Sequence, residues 1–427
     1  MLGFRNSQPV SAVRSELVEA ARKEGLGDST GSIVGICREA GKPYAELAIR
    51  KLAAYIPAEE TKELASLLER AARYGGKTTV MAALSLVDQC SGSGSDTARF
   101  LDAVTEIASF GGDAAASESA RTLGLFHDQT DRIAIKAAET LKAIAQTTLS
   151  GAAVISAAKT LARLRDDTFA FAMVADAMQG MALGRNEVNP DRILTVSEFV
   201  SQFSDSRTIP EAIEYVKGIV LPGSMPAQLG RILNSLDPDA RRRIALDVRN
   251  VFAKVGYPER MQQVLERMAE HQGKRTDIDT MTYSLVSLAD AFGDSAAAKA
   301  IGKILAQAPG ESGRFFEFFV EFSANVTEIW RKSRKAGRMM LKASAMFEGT
   351  EMQMTVFDCL TNLLYRRYGL LNDSDRTNTA QGERFVARTL KYIERHREEP
   401  EKLEYTLRRL SNPLVGKSDL MKILDGL

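Results

Sequence analysis

Two rows of basic residues near the C-terminus have the spacing of a binding surface. The first basic row follows i, i+3, i+4, i+7 and i+11, which predicts one face of one helix. It consists of Arg331, Arg334, Lys335, Arg338 and Lys342. The second basic row follows i, i+4, i+7 and i+11 and consists of Arg384, Arg388, Lys391 and Arg395. Such rows neutralise successive phosphates, meet an acidic protein surface or rest on anionic lipid.

The alternative for both rows is pairing within the chain. The glutamates available for this are Glu383, Glu394, Glu398 and those upstream. Among external ligands, an acidic protein partner is favoured, with nucleic acid second. Four members of the first basic row are expected to be mostly exposed: Arg331, Lys335, Arg338 and Lys342. We expect fewer than half of these four to lie within salt-bridge distance of a carboxylate.

Three glutamates, Glu317, Glu321 and Glu328, share one helical face at i, i+4 and i+11. Paired carboxylates perform acid–base catalysis when their surroundings separate their pKa values. These glutamates alternate with five phenylalanines between positions 315 and 322. The pattern therefore predicts the polar side of an amphipathic helix.

Two short motifs resemble catalytic or phosphate-binding sequences. Gly75-Gly-Lys-Thr-Thr79 is similar to the end of a phosphate-binding loop, but Ala71 replaces the first glycine and the preceding segment is helical. We predict a helix end followed by the next helix start. Ser156-Ala-Ala-Lys159 matches the SxxK pattern of serine acyl-enzymes, yet neither SDN nor KTG occurs. No catalytic residue is predicted.

The sequence contains few residues at spacings suited to binding a metal or a cofactor. The histidines are His127, His271 and His396, and none has a second His or Cys at i+2 to i+4. That spacing is what allows one helix or turn to present two ligands. HExxH and ExxH pairs are absent as well. We predict no protein-built metal site and no cofactor.

Cysteine use and hydropathy indicate a compartment. Cys37, Cys90 and Cys359 lie far apart without a CxxC pair, which favours reduced thiols. The N-terminal segment becomes charged too early for a signal peptide. The most apolar segment, 168–183, is too short to span a bilayer and contains Asp176. We expect a cytoplasmic or other reducing intracellular compartment.

The elements that must position these residues are helices. The chain has 427 residues, 44% of them hydrophobic, with 56 basic and 55 acidic side chains. This balance excludes a globally basic nucleic-acid coat. Apolar residues recur at helical spacing almost throughout, as in Ile133, Ala137, Leu141 and Ile144, and strand-like alternation is not evident. The fold class predicted is all-α.

Glycine, proline and serine interrupt this pattern roughly every 15 to 25 residues. The interruptions include Gly75-Gly76, the SGSGS run at 91–95, Gly111-Gly112 and Pro309-Gly310. About twenty helices with short loops exceed what one hydrophobic core can hold. Stacked antiparallel helix pairs bury each helix against the next pair instead.

One segment resembles a known repeat family. The run from Asp237 to Val251 is similar to the Asp-x-x-hydrophobic/Arg-x-x-Ala run that opens the second helix of HEAT-type repeats. The matching positions are Asp239, Arg242, Ala245, Val248 and Val251. Residues 131–144 are a looser match. The resemblance implies an irregular, HEAT- or armadillo-like α-solenoid without sheet, a fold that presents an extended binding surface.

Three regions are predicted: a helical-repeat region at 1–186, a second at 187–309, and a C-terminal helical region with the aromatic and basic residues at 310–427. The function favoured is a non-catalytic scaffold or adaptor that binds another protein through an extended helical surface. The alternative is a nucleic-acid-binding helical protein, of nucleoprotein or RNA-binding repeat type, that uses the two basic rows. An enzyme with a site assembled from scattered residues is the third hypothesis.

Overall fold

The structure is a computed structural model that describes most of the chain. It covers residues 10–92, 96–129, 131–184, 189–203, 206–216, 220–221, 223–255, 259–292, 312–347, 350–363, 376–412 and 414–425. The chain divides into two compact units, Met1–Val220 and Leu221–Leu427. Every regular element in the described ranges is a helix, which confirms the all-α prediction.

The N-terminal unit contains eleven α-helices within the described residues. They are α1 (Val10–Lys23), α2 (Thr30–Ala40), α3 (Lys42–Ala53), α4 (Thr61–Cys90), α5 (Thr97–Gly111), α6 (Asp113–Gly124), α7 (Asp131–Thr148), α8 (Gly151–Arg163), α9 (Thr168–Ala182), α10 (Pro190–Val200) and α11 (Ile209–Val216). Short 3₁₀ turns lie at Gly27–Ser29, Ala58–Glu60 and Ser206–Thr208.

The C-terminal unit contains ten α-helices within the described residues. They are α12 (Met225–Asn234), α13 (Pro238–Val255), α14 (Glu259–Ala269), α15 (Arg275–Phe292), α16 (Ser312–Lys332), α17 (Arg334–Ala345), α18 (Glu351–Asn362), α19 (Arg376–Arg395), α20 (Pro400–Ser411) and α21 (Lys417–Asp425).

Short polar side chains start many of these helices. Asp96 accepts a hydrogen bond from the backbone N–H of Arg99 at α5, and Asp167 accepts one from Ala170 at α9. Such caps satisfy amide groups that the first helical turn leaves unpaired. The helix starts therefore follow the polar interruptions in the sequence, which keeps loops short and successive helices adjacent.

Helices of the N-terminal unit pack in a repeating order. Each of α5 to α8 contacts the helix two positions later in the chain. Between α5 and α7, side-chain hydrogen bonds join Arg99 to Glu139, Lys142 to Asp102, and Gln146 to Glu106. Each pair is 40 residues apart, so both helices run in the same direction. Lys136 and Asp176 continue this 40-residue offset from α7 to α9, at 2.7 Å.

The C-terminal unit shows the same order. Between α13 and α15, Arg275 lies 2.6 Å from Asp237 and Arg243 lies 2.5 Å from Asp279. Helix α16 contacts α15 and α18, while α17 contacts α19, and α19 contacts α21. These contacts define two rows of helices. One row contains α15, α16, α18 and α20, and the other contains α17, α19 and α21.

The segment that resembles a HEAT repeat forms α13, but the polar residues that contact the backbone are neighbours of the matched ones. Ala245, Val248 and Val251 are buried, whereas Asp239 and Arg242 are exposed. The cap is instead the neighbouring Asp237, whose carboxylate accepts from the Ala240 N–H at 3.0 Å. The buried arginine is Arg241, which donates to the Leu233 and Leu236 carbonyls at 3.0 and 2.9 Å.

The boundaries expected near 187 and 310 both lie outside the described residues. The division into 1–186, 187–309 and 310–427 therefore stays a prediction. All three cysteines are free thiols, and Cys90 and Cys359 are buried. Within the described ranges, no helix is long and apolar enough to cross a membrane.

Candidate functional site

The first basic row does not lie on one helix, so that prediction is wrong. Helix α16 ends at Lys332, and Ser333 adopts an extended backbone (φ −146°, ψ 100°) before α17 begins at Arg334. The Ser333 Oγ accepts a hydrogen bond from the Ala336 N–H at 3.0 Å. Arg331 therefore belongs to α16, and the other four members of the row belong to α17. The signal for this break was a serine at a position suited to an N-cap.

Ser333 connects the start of α17 to α19 as well. Its hydroxyl donates to Glu383 Oε1 at 2.6 Å. This carboxylate lies at a helix N-terminus, where a negative charge is favourable. It offsets the unfavourable placement of Arg334 and Lys335 in the first turn of α17. Close contact with α16 is possible because Gly337 faces Trp330: a Cβ atom at position 337 would lie 2.8 Å from the Trp330 ring.

We expect Ser333→Ala to lower the free energy of unfolding by about 1–2 kcal/mol, because it removes an N-cap and one hydrogen bond to a carboxylate. Ser333→Thr, which keeps the hydroxyl, is the control and is expected to lose less. Urea unfolding followed through Trp330, the single tryptophan, measures both. Equal losses for the two variants would contradict the capping role.

Every member of the first basic row is exposed, as expected. Lys335 lies 3.4 Å from Glu383, and Lys342 lies 2.7 Å from Glu394. Two of the four tested cations thus have a carboxylate partner, so the expectation of fewer than half is wrong. The reason is that α19, about 50 residues later, brings its glutamates alongside α17. Arg331 and Arg338 have no carboxylate within salt-bridge distance among the described residues.

The second basic row lies on one helix, as its spacing predicts. Arg384, Arg388, Lys391 and Arg395 are all exposed on α19. The aromatic residues of this helix, Phe385 and Tyr392, are 4% and 6% exposed and point into the core. The outer face of α19 is therefore cationic and carries no accessible ring.

The two rows meet on neighbouring helices. Lys335 pairs with Glu383 near the start of α17, and Lys342 pairs with Glu394 near its end. Because the paired positions advance together, α17 and α19 run in the same direction. We call their exposed cations the basic surface, consisting of Arg334, Lys335, Arg338, Lys342, Arg384, Arg388, Lys391 and Arg395. Glu383 and Glu394 lie on α19 and pair with one cation each of the basic surface.

The glutamates of α16 lie on the other row of helices. Glu317 and Glu321 are exposed and form no ion pair within the described residues, while Glu328 lies 3.6 Å from Lys332. The prediction of a polar side opposite buried phenylalanines is confirmed, since Phe315, Phe318, Phe319 and Phe322 are buried.

Sequence reasoning missed Asp358, because it lies on α18 and meets α16 only in the fold. Burial of its carboxyl and the nearby charge of Glu321 raise the pKa of Asp358 to about 6. Part of this side chain stays exposed to solvent, which weakens the energetic consequence. The raised pKa of Asp358 therefore reflects its burial and its position near the carboxylate of Glu321 on the neighbouring helix.

We expect Asp358→Asn to stabilise the protein at pH 7, because it removes a charge that the folded state disfavours. A folded-state pKa above the unfolded value of about 3.9 means that native stability falls as pH rises through this interval. The gain should be below about 1 kcal/mol, since solvent screens the exposed part. It should disappear below about pH 4, where aspartate is protonated in both states. Urea unfolding at the two pH values tests this, and a less stable variant at pH 7 would contradict it.

The Gly75–Thr79 motif forms a kink rather than a phosphate loop. Gly76 has φ 64° within α4, a backbone conformation that favours glycine. Asp113 of α6 accepts hydrogen bonds from the Thr79 N–H, at 2.9 Å, and from its hydroxyl. The neighbouring helix thus caps the second half of α4, as expected for a helix end followed by a new start.

Neither the SxxK motif nor the metal-ligating residue types form a site in the described part of the chain. Lys159 is exposed on α8, and the Ser156 carbonyl accepts a hydrogen bond from the Thr160 hydroxyl. The described residues hold no group of three or more His, Cys, Asp or Glu side chains suited to a metal ion.

Comparison with known proteins adds no family to this description: no protein family matches the chain, and no curated protein matches it significantly.

Proposed function

We propose that this chain is a non-catalytic scaffold that binds an acidic protein partner through the basic surface of α17 and α19. One observation carries this proposal: eight exposed cations lie on two neighbouring parallel helices, where Glu383 pairs with Lys335 and Glu394 pairs with Lys342. A row of cations of that density repels itself and attracts an anionic ligand. The step from surface to scaffold rests on a proposed repeat architecture of stacked helix pairs, a type of fold that presents an extended binding surface.

That architecture is proposed to be an irregular α-solenoid. Contacts between alternate helices and parallel pairing of α5 with α7 and α17 with α19 support it. The 40-residue offset of the α5–α7 and α7–α9 pairs supports it too, because HEAT and armadillo repeats have periods of about 40–47 residues. Each helix pair of such a stack buries its neighbours and leaves its outer sides available for binding.

An acidic protein surface fits this site better than nucleic acid does. Glu383 and Glu394 lie between the cations and would repel a continuous phosphate backbone. Bases of a single strand stack on exposed aromatic side chains, whereas Phe385 and Tyr392 of α19 are buried. Discrete carboxylates on a folded partner can instead be placed away from the two glutamates.

Competition between two labelled anions tests the proposal. Fluorescence anisotropy would compare a polyglutamate peptide with a single-stranded oligonucleotide of similar charge, using the full chain. We expect the peptide to bind more tightly and to dissociate at high salt, since exposed charges are screened beyond a Debye length of about 3 Å at 1 M. Tighter oligonucleotide binding would favour the nucleic-acid alternative, and no binding of either would refute the proposal.

A further inference from the structure

A second charged surface lies in the same unit, on the other row of helices. Its residues are Glu317, Glu321 and Glu328 of α16, which we call the acidic row. Glu317 and Glu321 are exposed and unpaired among the described residues, and Glu328 is partly exposed. Asp358 of the neighbouring α18 adds a further carboxylate beside Glu321.

The two charged surfaces lie on different rows of helices. The acidic row is on α16, which contacts α15 and α18, whereas the basic surface is on α17 and α19, which contact each other. Both surfaces are exposed to solvent, apart from the partly exposed Glu328, so each is accessible to a second molecule.

The spacing of the two surfaces also matches. Arg384, Arg388 and Arg395 occupy positions i, i+4 and i+11 of α19, and the acidic row occupies i, i+4 and i+11 of α16. At about 1.5 Å per residue, both sets extend over about 16 Å. At i+7 the basic surface has Lys391, and the acidic row has the small exposed Ala324. The four cations of α19 are separated by intervals of four, three and four residues, which are the same in either chain direction. The match therefore holds for parallel or antiparallel docking.

We infer that the basic surface of one molecule binds the acidic row of a second copy of this chain. This inference rests on the proposed function, since it names one partner for the same surface. The contact is heterologous, because each copy contributes a different surface, and repetition of it produces head-to-tail chains of molecules. Complementary charge and spacing, rather than apolar area, supply the specificity.

Two charge-reversed versions of the full chain test it. The first carries Arg384→Glu, Arg388→Glu and Arg395→Glu, and the second carries Glu317→Lys, Glu321→Lys and Glu328→Lys. In sedimentation velocity, the wild type is expected to associate with rising concentration at about 0.1 M salt and to dissociate at about 1 M. Each variant alone is expected to stay monomeric.

In the mixture of the two variants, the first still has an intact acidic row and the second an intact basic surface. The reversed surfaces are complementary as well, since the first variant carries three new Glu on α19 and the second carries three new Lys on α16. We expect the mixture to regain association through alternating contacts between the two variants. A matched control, Arg22→Glu, Lys62→Glu and Lys159→Glu in the N-terminal unit, should associate like the wild type. If a reversed variant fails to fold, the neutral Gln versions replace it and should weaken association at least tenfold.

A wild type that stays monomeric at low salt, or a mixture of variants that does not associate, would overturn the inference. Polyglutamate binding separates this failure from failure of the proposed function. A monomeric wild type that binds the peptide through the basic surface refutes self-association alone. A wild type that binds neither the peptide nor itself refutes both.

Discussion

Changing Arg334, Lys335 and Arg338 together to Glu is expected to lower affinity for an acidic ligand by about 100-fold or more. All three side chains are exposed on α17, which has four basic and no acidic residues. Each exposed ion pair contributes up to about 1 kcal/mol, and 1.4 kcal/mol corresponds to tenfold in affinity. Reversal also adds repulsion, which increases the loss beyond simple removal of the three charges.

The same triple variant is expected to fold almost as stably as the wild type. Among the described residues, only Lys335 of the three has a carboxylate partner, at 3.4 Å, and this pair is exposed on the lysine side. Anisotropy with the polyglutamate peptide measures binding, and urea unfolding measures stability. The matched control is the triple reversal at Arg22, Lys62 and Lys159, which should leave peptide binding unchanged. Unfolding of the Arg334–Lys335–Arg338 variant would show that these residues are structural.

Phe322→Ala is expected to destabilise the protein by about 3–5 kcal/mol. The Phe322 side chain is fully buried, with ring centroids 5.4 Å from Phe318 and 4.9 Å from Phe357. These rings join α16 to α18, so truncation removes apolar contact and leaves a cavity. The loss of these two tilted ring contacts adds to this effect.

Tyr283→Ala on α15 is the control for this effect. That side chain is 74% exposed, and surface substitutions usually change stability by less than about 0.5 kcal/mol. Urea unfolding followed through Trp330, which is 8% exposed on α16, reports on the affected region. A loss below about 1 kcal/mol for Phe322→Ala would mean that the α16–α18 core is not packed as described.

Helix content and the second basic row could be predicted from the sequence, because both depend on spacing along one element. Apolar residues at helical spacing decide the fold class wherever one face is buried. Arg384 to Arg395 share a face because no helix break lies between them. The prediction of a single helix for the first basic row was wrong because Ser333 caps α17. A residue that caps a new helix has a non-helical backbone, so the preceding helix ends there.

Pairing between helices could not be predicted, because it depends on contacts between distant segments. Lys342 contacts Glu394 only because α17 lies beside α19. No local sequence pattern predicts that these two helices are neighbours. The same holds for Glu321 and Asp358, whose carboxylates come together from α16 and α18. Within α13, Asp237 caps the helix and Arg241 is buried. The matched polar positions of the repeat pattern were their neighbours Asp239 and Arg242, because the pattern does not fix which polar side chain contacts the adjacent backbone.

Lysine reactivity tests the central claim most directly. The full chain would be acetylated at low degree with and without the acidic partner peptide, and modification read by mass spectrometry. We predict that Lys335, Lys342 and Lys391 lose reactivity in the complex, while the exposed Lys62 and Lys159 of the N-terminal unit keep theirs. Equal protection at all five lysines, or protection in the N-terminal unit alone, would contradict a partner bound to the basic surface.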